Sequence, residues 1–131
     1  MGSTAPSDGT ALLSVTGALE AATGLGLLVA PSVVIELLLG AAPPGAPVGR
    51  VAGVALLALG LACWLARGEV ASRAAQGLIL AMLLYNVGVI AVLVLAWSSQ
   101  AVVGIALWPV VLAHGGLAAW CVAGCGGQAG S

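Results

Sequence analysis

Ala11-Leu-Leu-Ser-Val-Thr-Gly-Ala-Leu-Glu-Ala-Ala-Thr-Gly-Leu-Gly-Leu-Leu-Val-Ala30 is twenty residues long and carries one charge, Glu20. About 20 apolar residues cross the hydrocarbon core of a bilayer as a helix, so this stretch reads as a membrane span. A charge at the centre of a span costs about 2.5–3.5 kcal/mol on insertion scales, and such a group has a partner or a task. Working outward, three further apolar segments of similar length follow, at about 48–66, 74–97 and 101–122. Backbone groups in lipid must be satisfied within the segment, so all four read as helices.

The whole composition agrees. The chain has 131 residues, 62% hydrophobic and 5% charged, and no Lys. A soluble domain is about 25% charged, far more than is present here. Length and pattern together predict an all-α, antiparallel four-helix transmembrane bundle. A polar tail precedes it at 1–10, the membrane domain occupies 11–122, and a Gly-rich tail follows at 123–131. Met1–Thr10 contains Asp8 but no Lys or Arg, unlike the positive start of a secretory signal, so the first span reads as retained.

The connections are read from turn chemistry: Ala41-Ala-Pro-Pro-Gly-Ala-Pro47, Arg67-Gly-Glu69 and Ser98-Ser-Gln100. The last is short enough to predict a tight helical hairpin of spans three and four. Pro31-Ser-Val-Val-Ile-Glu-Leu-Leu-Leu-Gly40 has Pro where a helix begins and Gly where one ends. It predicts a short helix, continuing from span one or lying at the interface, with a break near Pro31.

Arg67 and Arg73 share one side of the bundle with both termini, against Arg50 on the other. The positive-inside rule then places both termini in the cytoplasm, in a bacterial inner membrane. Trp64, Trp97 and Trp120 fall near span ends, at headgroup level. Trp108, deeper and before Pro109, is expected inside the bundle beside a kink.

Small residues allow helices to approach closely in lipid. Gly49, Gly53 and Gly60 of span two fall within about 40° of one another on a helix. Gly77, Ala81 and Gly88 repeat the arrangement on span three. Both stripes read as packing seams, within the chain or between copies. Asn86 lies nearly opposite the second stripe, so either that stripe packs on the outside or Asn86 meets lipid or another protomer.

Thr16, Glu20 and Thr23, at i, i+4 and i+7, share one face of span one and should point into the bundle. Measured from the cytoplasmic ends of their spans, Glu20, Asn86 and His114 lie at about 14, 18 and 12 Å. They therefore occupy one slab of the membrane, with Tyr85 beside Asn86. This height match predicts a buried Glu20–His114 pair, supported by Asn86 or Tyr85. Such a pair could relay a proton or hold a cationic or hydroxylated ligand; it could equally satisfy itself and set helix register.

Other chemistry is missing from the sequence. A single His with scattered carboxylates does not make a typical zinc or two-metal site. Cys63, Cys121 and Cys125 have no CxxC spacing and read as small apolar residues. There is no Ser-His-Asp arrangement, phosphate-binding Gly loop or basic patch for nucleic acid. No cofactor, metal or catalytic residue is expected. Leu27-Leu-Val-Ala-Pro31, Leu37-Leu-Leu-Gly40 and Arg50-Val-Ala-Gly53 resemble the small bacterial four-span proteins of the broad DoxX-like group. That resemblance implies a membrane protein associated with redox or other membrane-complex partners, and transfers no catalytic residue. The expected role is a non-catalytic accessory subunit or small-ligand-binding partner in a membrane complex. The alternative is a proton-coupled transporter that uses Glu20 as a homo-oligomer.

Overall fold

The computed structural model describes residues 7–40, 46–99 and 104–126. These fold into five helices: α1 (Asp8–Val29), α2 (Pro31–Leu39), α3 (Ala46–Ala66), α4 (Arg73–Ser98) and α5 (Leu107–Gly126). Four of them are long and apolar enough to cross a bilayer, with mean hydropathies of 1.6, 1.9, 2.7 and 1.4 in chain order. The fold is the predicted all-α bundle with a short helix between its first two spans.

Local chemistry explains the ends. Ser7 caps α1, its hydroxyl accepting from the Thr10 amide at 3.3 Å, and Asp8 lies in the first turn, where a negative charge suits the helix dipole. The helix thus starts inside the expected polar tail. Pro31 interrupts the chain as expected: only Ala30, with non-helical φ and ψ, separates α1 from α2. Gly40 closes α2 in the left-handed region at φ 79°, its amide donating to the Glu36 carbonyl at 2.8 Å. Ser72 caps α4 by accepting from the Ala75 amide at 3.1 Å.

Parts of three predicted features lie outside the described residues: the first six residues of the polar tail, 41–45 of the Pro-rich connection, and 127–131 of the Gly-rich tail. Gln100 and the expected start of span four at 101–103 do so as well. Gly104–Ala106 is non-helical, so α5 begins at Leu107. This segment is tied to α2 by the Ala106 amide, which donates to the Leu37 carbonyl at 2.9 Å. Gly is needed there, because a Cβ on Gly104 would lie 2.2 Å from the Leu38 carbonyl carbon. With α5 starting late, Pro109 occupies its first turn and kinks nothing. Trp108 is correspondingly not inside: it is 47% exposed and meets Trp97 edge-on, ring centroids 5.2 Å apart. Indoles at this level occupy the membrane–water boundary.

The helices pack as two pairs. α1 with α3 is much the tightest, α4 with α5 follows, and the contacts between pairs are sparse. Glycine explains the first. Added Cβ atoms on Gly60 and Gly53 would lie 2.8 Å from the carbonyl oxygens of Gly17 and Gly24, so two Gly–Gly crossings bring the backbones together. Gly49 sits under Ile35 of α2, completing the span-two stripe. The span-three stripe behaves differently. Gly77 and Gly88 have open space where a Cβ would stand, and Ala81 is exposed, so this stripe faces outward and Asn86 faces in.

Two apolar clusters fill the interior. One, toward the termini, contains Leu12, Leu13, Cys63, Ala75, Ile79, Met82 and Cys121; the other, toward α2, is built on Leu93 and Leu107. Leu84, Val92, Leu95 and Leu112 are exposed on the outside, as a lipid-facing surface requires. The chain is a multi-pass membrane protein.

Candidate functional site

Between the two apolar clusters lies a polar level. Thr16 and Glu20 reach it from α1, Tyr85 and Asn86 from α4, and His114 from α5. Glu20 is 4% exposed, and Thr16 and Asn86 are fully buried. Glu20 and Thr16 are one turn apart on α1, so both point the same way. Tyr85 supplies the link between the helix pairs: its hydroxyl donates to Glu20 Oε2 at 3.4 Å. A long side chain is needed here because α1 and α4 make so few backbone contacts.

The predicted Glu20–His114 pair is replaced by this contact. His114 is occupied within its own helix, Nδ1 donating to the Val110 carbonyl at 2.8 Å. It reaches the site through Tyr85, the two rings lying 5.8 Å apart at 55°. The order is therefore Glu20, Tyr85, His114, across α1, α4 and α5. Asn86 does not join it by hydrogen bond: Nδ2 donates to the Met82 carbonyl at 2.7 Å and buried Oδ1 has no partner. Thr16 Oγ1 is likewise buried without a partner.

Thr23 departs from the expected stripe and is exposed. At that level α1 is buried toward α3 through Gly24, and Thr23 lies about 100° away around the helix.

Comparisons with protein-family models, curated proteins and solved structures gave no match. The site must be read from its own chemistry.

Cys63 and Cys121 are fully buried beside the polar level, within one core cluster. Among the described residues no group of three His, Cys, Asp or Glu side chains converges as a metal site would require. What does converge is one carboxylate, one phenol and one imidazole, flanked by two buried oxygens without partners. Such a set can hold a proton or a hydrogen-bond-donating ligand.

Two features escaped the sequence. One is the primacy of Tyr85 over His114, signalled only by its reach. The other is Arg67, whose guanidinium lies 3.7 Å from the Trp64 ring centroid and donates to the Trp64 carbonyl. The Trp-x-x-Arg spacing at a helix C-terminus was its signal, since cations suit that end.

Proposed function

We propose that this chain is a small-ligand-binding membrane subunit, non-catalytic by itself, whose binding group is Glu20. The observation that carries the reading is the Tyr85–Glu20 hydrogen bond across the sparse seam between the helix pairs. A buried intramembrane carboxylate whose one hydrogen bond among the described residues is this long is a group held ready for exchange rather than one locked into a network. The DoxX-like resemblance supports an accessory role beside membrane partners, and the outward small-residue face of α4 is compatible with one.

Dicyclohexylcarbodiimide tests the reading. This apolar reagent adds the O–H of a carboxylic acid across its C=N bond, and an acyl shift to nitrogen leaves a stable N-acylurea. Wild-type protein in lipid nanodiscs should gain one adduct, mapped to Glu20, at a rate that rises as pH falls. Glu20→Gln should gain none at that position. An inert Glu20 would end the proposal.

A proton-coupled transporter is the second reading. It is favoured by the position of Glu20 between two helix pairs that could rock against each other. Proteoliposomes showing a pH-driven flux that Glu20→Gln abolishes would select it.

A further inference from the structure

The outward surface of α4 carries a groove of about 360 Å³ lined by Tyr85, Gly88, Val89, Val92 and Leu93. Gly88 leaves it open, since a Cβ there would meet nothing within 4 Å. Val92 and Leu93 make one end apolar. The other end is Tyr85, the same side chain whose hydroxyl holds Glu20. One aromatic residue thus stands between the lipid phase and the buried carboxylate.

The chemistry at the two ends defines an occupant. The Val92–Leu93 end suits a hydrocarbon body. Behind Tyr85, buried and outside the groove lining, the acidic group is Glu20, while Arg50, Arg67 and Arg73 all lie at helix ends. A positive head group complements that carboxylate. The Tyr85–Glu20 contact, at 3.4 Å, is long beside the 2.7–2.9 Å of a charge-assisted ammonium–carboxylate bond. An ammonium can therefore displace the phenol from Glu20 and then rest on its ring face.

We propose that this groove is a lateral entrance by which an apolar amine, in its ammonium form, passes from the lipid phase to Glu20. The proposal rests on the Glu20 reading above and adds to it a route and a ligand class.

The probe is 2-(2-naphthyl)ethylamine, with uncharged 2-ethylnaphthalene for comparison. Binding is read by naphthyl fluorescence anisotropy on full-length protein in nanodiscs, after subtraction of empty discs. Gly88→Leu places a side chain in the groove, and its Cβ would meet nothing within 4 Å. Gly77→Leu is the control, equally open but outside the groove. Wild type and Gly77→Leu should bind the amine saturably, with at least tenfold weaker binding for Gly88→Leu, for Glu20→Gln and for the uncharged probe. The amine should also slow carbodiimide addition at Glu20. Wild-type affinity in Gly88→Leu, equal binding of the two probes, or no saturable amine binding would overturn the proposal. If Glu20 still reacts with carbodiimide in those cases, the underlying reading survives; if wild-type Glu20 is inert, that reading fails first.

Discussion

Tyr85 reaches Glu20 where His114 does not because each side chain's direction is set by its own helix. Height along the membrane was legible in the sequence: residue counting at 1.5 Å per step placed Glu20, Tyr85, Asn86 and His114 in one slab, and the structure has them there. Azimuth was not legible, since it depends on how far each helix turns to bury its apolar side. Adjacent Tyr85 and Asn86 differ by about 100°, which sends one toward α1 and leaves the other bonded to its own backbone. Interhelical hydrogen bonds in membranes average about 0.6 kcal/mol and reach about 1.7. Tyr85→Phe should accordingly destabilise the protein by about 0.5–1.5 kcal/mol in a detergent unfolding titration, and by less in a Glu20→Ala background. Equal losses in both backgrounds would show that the bond contributes nothing. Asn86→Leu makes the opposite case. Its Oδ1 is buried and unpartnered, so an apolar residue of similar volume should leave stability unchanged or raise it. A loss above about 2 kcal/mol would mean that this oxygen has a partner in the membrane.

Helices carrying the same small-residue pattern have opposite fates. On α3 the stripe is used within the chain, where Gly53 and Gly60 lie against the α1 backbone; on α4 it faces open space. Spacing alone does not separate the two, because the pattern specifies a smooth surface and not what covers it. The discriminating residues are on the partner helix: Gly17 and Gly24 of α1 are also seven apart and match Gly60 and Gly53 in reverse order, as an antiparallel crossing requires. Among the described residues, nothing packs against Gly77 or Gly88 of α4 in this way. Substitution should therefore have opposite effects. Gly60→Val forces backbone atoms apart and should cost about 1–3 kcal/mol or more, read as lost resistance to denaturing detergent. Gly77→Ala, with nothing to strike, should be neutral or stabilise by up to about 1 kcal/mol through helix propensity. A destabilised Gly77→Ala would show that the outer stripe is covered after all.

Across the whole molecule, four spans put the start of α1 and the end of α5 on one side, and the positive-inside rule predicts that this side is the cytoplasm. Arg67 and Arg73 flank the connection from α3 to α4, on the terminal side, while Arg50 opens α3 on the other. Acidic groups count little in this rule, so Asp8, Glu36 and Glu69 do not offset the bias. The margin of two against one is small enough to be reversed by design without touching the packed interior. Ser98 and Ser99 end α4 on the Arg50 side, are exposed, and their hydroxyls donate to carbonyls of their own last turn. Converting both to Arg makes the count three against two in the other direction, and Arg67 keeps its place over Trp64. Cations at a helix C-terminus also suit its dipole, so the change should not unfold α4. Expressed in a bacterial inner membrane, the wild-type chain should place a C-terminal fusion in the cytoplasm. The doubly substituted chain should move a measurable share of that fusion across the membrane. The check is a pair of reporters, one active only inside and one only outside. An external wild-type C-terminus would reverse the proposed orientation and put the Arg67–Arg73 connection outside, leaving the bundle and its Glu20–Tyr85 contact as described.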